Sequence, residues 1–344
     1  MDPQKLHSLR HPNVPFTASQ WSEGQTLHVA AVYSNPVRWR TRRQLFLDFR
    51  RHMESCPNVR LYVGEIAYGE RPFEVTRPDH PYDFQFRSTH ELWHKENLIN
   101  LVVQRFAPDW QYGAYVDGDV VMTRYDWALE SIHLLQHYDW LQLFSHYCDL
   151  GPKHEPLRIT PSFMQRWTTG DLTREESKRL YRGEPYVVGD GPAKRPGAAA
   201  TGLAWAFRRN SFEACGGLLD TCVVGSGDWH MAFGLIGLPD EHPQTPELQH
   251  CGRAYAESIR IWQNRASRAV RGNVGVLDCL AVHHYHGRKD QRGYSWRWQI
   301  LRDNDFDPRQ DIFRDYQGLW QLHDHKPQLR DAIRAYFRGR NEDV

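Results

Sequence analysis

Charge of one sign is missing. Lys and Arg total 43 against 42 Asp and Glu, a formal net charge of +1. That excludes a uniformly basic nucleic-acid coat and leaves room only for a local basic patch. Long apolar runs are missing too. No stretch approaches the length that spans a bilayer. Residues 1–26 hold no apolar segment of the kind a secretion signal carries, so cytoplasm is the expected compartment. Cysteine is sparse: Cys56, Cys148, Cys215, Cys222, Cys251 and Cys279 are scattered, with no Cys-x-x-Cys pair. Reduced thiols, several of them core fillers, are expected rather than a disulfide scaffold. No internal repeat or low-complexity tract occurs, which excludes a solenoid.

What is there is an ordinary globular composition. The 344 residues are 40% hydrophobic and 25% charged, which excludes a disordered chain, a collagen-like fibre and a simple coiled coil. The length suits one large domain or two small ones. Thirteen Trp, 16 Tyr, 15 Phe and 19 His exceed what a core needs and suit a cleft that stacks on flat ligands.

Periodicity then orders the chain. Residues 27–33 (LHVAAVY) read as a buried strand broken by Asn35-Pro36. Residues 40–53 read as a helix with Leu45, Phe46 and Phe49 on its apolar stripe, and residues 59–65 as the next strand. Strand, helix, strand is the opening of a doubly wound α/β sheet. Residues 70–83 read as a polar, Pro-containing loop, and residues 89–105 as a helix capped by Thr89. Residues 112–121 form a strand interrupted by two aspartates; a helix over 127–137 and a strand over 139–144 follow. Residues 151–200 contain a short helix, 174–181, and the tract GDGPAKRPGAAA, which together read as a lid-like insert within one domain. A strand over 202–207 leads to a helix over 209–215 that Gly216-Gly217 ends. The chain past residue 300 reads as helical, closing with 326–338.

The sharpest local feature is Asp117-Gly118-Asp119, placed where a buried strand runs out. Ligands of open α/β sheets bind beyond the carboxyl ends of the strands. Two carboxylates two residues apart point the same way on extended chain, and hard oxygen ligands suit Mg²⁺ or Mn²⁺. Gly118 would let a phosphate or ribose approach the backbone. Asp-Gly is equally a hairpin signal, so a tight turn stays open. A second cluster, His283-His284-Tyr285-His286-Gly287-Arg288-Lys289, follows a strand-like run over 274–282. It combines first-row metal ligands with phosphate-binding cations. A zinc site using Cys279 and ordinary half-buried histidines are the competing readings.

In order, these pieces resemble GT-A fold glycosyltransferases that use a nucleotide-sugar donor, most of all the β-1,4-galactosyltransferase group. The resemblance is carried by Pro36-Val37-Arg38-Trp39-Arg40, by Trp93-His94-Lys95 running into Leu98-Ile99-Asn100, and by the Asp-x-Asp strand. Thr201-Gly202-Leu203 with Phe212 and Gly217-Leu218, Gly225-Ser226-Gly227-Asp228, and His284-Tyr285-His286-Gly287 with Lys289 complete it. It implies a mixed α/β GT-A domain over residues 27–300 after a polar lead-in, 1–26. Residues 151–200 become a lid or acceptor insert, and 301–344 a C-terminal helical extension. It implies metal-dependent transfer from a nucleoside-diphosphate sugar, UDP-linked, to a saccharide or other hydroxyl acceptor, with inversion. Asp119 and His284 would ligate Mn²⁺ or Mg²⁺, and Asp117 would reach the metal's water shell or the ribose. Pro36, Arg38, Arg40, Lys95 and Lys289 would face the donor. Asp228 would be the general base, with Trp229 and His230 beside the acceptor. Competing local readings are a helix N-cap for Asp228, a solvated helix face for Lys95 and core for Trp93.

The acceptor is less legible. The stretch from Arg253 to Arg302 carries nine Arg plus Lys289, interleaved with Trp262, Trp296 and Trp298. That pattern could track a polyanion, as a phage-type glycosyltransferase acting on a hydroxymethylated DNA base requires. A nucleotide-sugar- or glycan-binding protein without turnover, and a metallohydrolase using the same Asp and His, are the remaining alternatives.

Overall fold

The computed structural model describes residues 25–184, 187–188, 195–196, 199–238 and 245–343. The lead-in up to residue 24 and most of the Gly/Pro/Ala tract lie outside these residues.

The first apolar run forms β1, Leu27–Ser34, buried along most of its length. Helix α1, Arg40–Ser55, buries Phe46, Phe49 and Met53 and leads to β2, Val59–Tyr68, parallel to β1 with Leu27 opposite Val59. The stretch expected to be only loop ends in a third parallel strand, β3, Asp83–Ser88. Its first residue is an acid, which hides the strand. Asp83 is buried because Arg50 grips it with two bonds of 2.9 and 3.0 Å, the pairing that a buried charge requires. Helix α2 spans Lys95–Val103 rather than starting at Thr89. Residues ahead of it are held outside the helix: Trp93 N donates to Val223 O (2.9 Å), and His94 Nε2 donates to Trp320 O (2.8 Å).

The strand expected over 112–121 divides at the aspartates. Strand β4, Tyr112–Val116, pairs with β1, whereas β5, Val120–Met122, belongs to another sheet. Val120 N donates to Asp117 O (3.1 Å) across the turn between them. Next come α3, Trp127–Leu134; β6, Trp140–Gln142; β7, His146–Leu150; β8, Pro156–Pro161; α4, Phe163–Thr169; and α5, Arg174–Tyr181. Thr173 and Glu176 close a capping box on α5. Two-residue strands β9, Val187–Val188, and β10, Arg195–Pro196, pair with each other. Then follow β11, Ala204–Arg208; α6, Arg209–Cys215; α7, Gly227–Leu235; α8, Pro246–His250; and α9, Arg253–Val270. The run expected as one strand over 274–282 is split into β12, Val274–Val276, and β13, Leu280–His283. Helix α10, Gln299–Asp303, precedes a hairpin of β14, Ile312–Arg314, and β15, Trp320–Leu322, and then α11, Pro327–Gly339. The C-terminal segment is therefore not wholly helical. Helix α11 buries Leu329, Ile333, Tyr336 and Phe337 in the main core.

The central sheet has seven strands in the order β12-β6-β11-β4-β1-β2-β3, with β11 antiparallel to both neighbours and every other pair parallel. Side chains alternate across it. Ala30, Tyr62 and Tyr115 pack with α2, α7, α9 and α11 on one face; Val29, Val63 and Ala114 pack with α1 and α3 on the other. This is a mixed α/β sheet flanked by helices, the Rossmann-like arrangement expected of a GT-A fold. A second sheet, β5-β13-β7-β8, continues three strands of the first: β4 runs into β5, β6 into β7 and β12 into β13. All six cysteines are free thiols. Among the described residues no helix is long and apolar enough to cross a membrane.

Candidate active site

Strand β1 connects to β2 on one side, and its other neighbour, β4, comes later in the chain. The carboxyl ends of β1 and β4 thus flank the point where strand order reverses, where a crevice opens in such sheets. A cavity of about 750 Å³ occupies this place. Pro36 follows β1 into it, Asp117–Asp119 follow β4, Lys95 starts α2, and Asp228 comes from the first turn of α7.

The two aspartates face different partners. Lys95 Nζ lies 2.6 and 2.9 Å from the two oxygens of Asp117, and this carboxylate holds the buried ammonium above the usual lysine range although burial opposes its charge. Asp119 is 2.9 Å from His286 Nε2 and 3.9 Å from His283 Nε2. One ligand atom from each of these three residues falls within 4.8 Å of the others. Burial alone would raise the Asp119 carboxyl; His286 and His283 instead hold it far below the usual carboxylate range. Asp119 Oδ1 is buried and has no hydrogen-bond partner.

Both imidazoles turn their other nitrogen toward a carboxylate. His283 Nδ1 is 2.9 Å from Asp149, and His286 Nδ1 is 3.6 Å from Glu342. Lys289 binds Asp149 at 2.5 Å, while Arg42 grips both Glu342 oxygens at 2.8 Å. Burial would raise the Asp149 carboxyl, but His283 and Lys289 hold it down at about 2. The carboxylate hydrogen-bonded to His283 Nδ1 fixes the tautomer that offers its Nε2 to a cation, whereas His286 Nδ1 makes no hydrogen bond among the described residues. The donor set of one carboxylate and two Nε2 atoms suits a first-row divalent ion. An orphaned, buried oxygen at its centre is what such an ion would satisfy.

The expected ligand His284 stands outside this set. Alternation along β13 directs His283 inward. The next residue gives its backbone N–H to Asp119 O (2.9 Å) while its ring packs 6.1 Å from that of His154. The expected donor contacts Arg38 and Arg40 also lie outside the cavity lining. The turn after Pro36, closed by Arg38 N–H to Asn35 O (3.1 Å), swings both outward. Arg38 pairs with Glu74 (3.1 Å), and Arg40, 95% exposed, with Asp343 (3.7 Å). Arg42, two residues on, is the arginine of this segment that lines the cavity. Gly118 is required for packing, since a Cβ there would collide with Phe46.

On the opposite wall Asp228 sits 3.5 Å from Thr201 Oγ1, and Gly202 leaves room for it: a Cβ there would be 2.5 Å from Asp228 Oδ2. Ser226, not Asp228, is the N-cap of α7 and makes no side-chain cap bond. Trp229 lines the cavity. His230 does not: it is fully buried between Tyr181 OH (2.9 Å) and Glu247 (3.3 Å), a core role in place of the expected acceptor contact. Glu96, unnoticed in the sequence, lines the cavity with 3% exposure, and burial pushes its carboxyl up to about 7. The basic stretch over 253–302 forms no single surface. Trp262 is core, its Nε1 donating to Gly217 O (2.9 Å), and Arg292 and Arg297 turn into the cavity.

No protein-family model matches the chain, and no curated protein matches it. Among solved structures, the galactosyltransferase LgtC, in complex with donor and acceptor sugar analogues, aligns over 91% of this chain and 95% of its own at 8% identity, with a TM-score of 0.28. Overlap at that level carries no functional weight, so the geometry of the cavity bears the functional reading alone.

Proposed function

We propose that the chain is a metal-dependent glycosyltransferase that moves a sugar from a nucleoside-diphosphate sugar, UDP-linked, to a hydroxyl acceptor with inversion. The observation that carries this is the convergence of Asp119, His283 and His286 at the switch-point crevice, with His283 backed by Asp149 and Lys95–Asp117 beside them. Asp119, His283 and His286 would hold Mn²⁺ or Mg²⁺, which supplies positive charge to the donor diphosphate. Lys95 and Lys289 add fixed charge on the same side, and Pro36 and Arg42 wall the end of β1. Asp228, on the facing wall, takes the acceptor's hydroxyl proton. The acceptor oxygen then bonds to the anomeric carbon as that carbon's bond to the diphosphate oxygen breaks, and the electron pair leaves with the nucleoside diphosphate. One displacement from the face opposite the leaving group inverts the centre.

Calorimetric titration with UDP-sugars, with and without Mn²⁺, tests the reading. Binding should require the metal and disappear in Asp119→Asn, while that variant keeps its circular-dichroism spectrum. Equal donor binding and transfer in excess EDTA would refute it.

A further inference from the structure

Two arginines of the cavity wall make no ion pair among the described residues, although Asp228 lies near enough to Arg297 to favour its charge. Arg292 and Arg297 are 3% and 5% exposed and both line the cavity. Among the described residues neither lies within salt-bridge distance of a carboxylate, and the Nε of each is buried without a hydrogen-bond partner. Their other contacts are neutral. Arg297 reaches Ser226 Oγ (3.3 Å) and Tyr336 OH (3.4 Å), with its guanidinium 5.4 Å from the Trp93 ring centre and 5.2 Å from that of Tyr294. Arg292 reaches Tyr294 OH (3.3 Å) and Gly287 O (3.4 Å). The cations on the metal side differ: Lys95 is paired with Asp117, Lys289 with Asp149 and Arg42 with Glu342.

A buried guanidinium without a counter-ion destabilises a fold. Trp93 and Tyr294 fix the plane of the Arg297 fork and compensate its charge only in part. Ser226, which Arg297 touches, caps the helix that carries Asp228, so this guanidinium adjoins the wall assigned to the acceptor. We propose that Arg292 and Arg297 form a subsite for an oxyanion, a phosphate or a carboxylate, carried by the acceptor. This makes the acceptor an acidic one, such as a sugar phosphate or a uronate-bearing saccharide. The placement on the acceptor rests on Asp228 acting as the base.

The test titrates the intact protein with methyl phosphate and with glucuronate at constant ionic strength, in the presence and absence of saturating UDP and Mg²⁺. Saturable thermal stabilisation is expected from at least one probe and should persist when UDP is bound. Arg292→Gln and Arg297→Gln should each weaken it by roughly tenfold or more. A purely structural arginine would give Arg297→Gln a lower melting temperature with anion binding intact. Absence of saturation in wild type, equal saturation in both variants, or its loss on UDP binding would overturn the subsite. If Arg297→Gln weakens binding of UDP-glucuronate but not of UDP-glucose, the anion belongs to the donor and the assignment to the acceptor falls. If no UDP-sugar binds while the probes still titrate through the two arginines, the oxyanion site stands and the glycosyl-transfer reading falls.

Discussion

Glu96→Gln separates a charge that the fold tolerates from one that it uses. The Glu96 carboxyl is buried beneath α7, close enough to Gly227 that a Cβ there would come within 3.2 Å of its Cδ. Burial raises its pKa from 4.5 to about 7; Lys95 opposes the rise, and Asp228 and Asp117 add to it. Because the folded-state value is the higher one, the folded protein holds this proton where the unfolded chain has released it. Glu96 therefore contributes its full share of stability below about pH 4.5 and loses that share as pH rises through about 7. Each tenfold change in the ionisation constant is worth about 1.4 kcal/mol, so the loss across this window is ~3 kcal/mol. Glutamine keeps the shape and cannot ionise. Urea denaturation at a series of pH values should give wild-type and Glu96→Gln stabilities whose difference shifts by ~3 kcal/mol in favour of the variant between the acidic and the mildly alkaline end. A constant difference, or a variant that loses ground as pH rises, would mean that Glu96 is ionised in the fold and paired with Lys95, and the argument from burial would be refuted.

Metal affinity should distinguish the neighbouring histidines. His286→Ala should abolish Mn²⁺ binding read by electron paramagnetic resonance, whereas His284→Ala should leave it essentially unchanged; the reverse order would return His284 to the site. Gly202→Ala should push the Asp228 carboxylate out of place, since the added Cβ would stand 2.5 Å from its Oδ2. Turnover should fall by roughly tenfold or more while donor affinity holds, because only the proton acceptor is misplaced. An unchanged kcat would remove Asp228 from the chemistry.

How much of this could be read in the sequence depended on whether a residue's partner was near it in the chain. Strands β1 and β2 and helices α1, α5 and α6 announce themselves by apolar period and capping, and they stand close to where those signals put them. Strand β3 was hidden because its leading acid is neutralised by Arg50, 33 residues away. The runs over 112–121 and 274–282 read as single strands because apolar residues resume directly after the acids at which each crosses from one sheet to the other. Asp119 was legible from its place after an apolar run. Its ligand partners lay within a recognised histidine cluster, but which of them face inward is decided by the end of β13, and the spacing alone does not fix that. Arg42 and Glu342 stand 300 residues apart, and no local pattern joins them. The inward turn of Arg42, rather than Arg38 or Arg40, follows from a loop conformation in which Arg38 takes φ 64°, a state rarely adopted by a residue with a side chain.

The crossings between the two sheets explain why acids and imidazoles gather at one end of the cavity. Where β4 gives way to β5, the chain changes hydrogen-bonding partners, and the turn that does so presents polar side chains instead of core. Asp117 and Asp119 come from that crossing, while Asp149 and His283 come from the strands just beyond the two other crossings. The crossings are side by side because β5, β13 and β7 are neighbours in the second sheet, so acids and imidazoles are concentrated at one end of the crevice. The other wall is built by α7 and by the segment from Arg292 to Glu342, which packs against the helical layer through Tyr336 and Phe337. That wall contributes guanidinium groups held by aromatic rings: Arg340 reaches Glu342 of the metal side at 2.6 Å, and Arg297 makes no ion pair among the described residues. On the proposed reading, a ligand that spans the crevice would meet a cation site at one end and an anion site at the other, with Asp228 between them. A neutral acceptor would leave Arg297 without an ion-pair partner in the complex as well as in the free protein, whereas an acidic one would supply it.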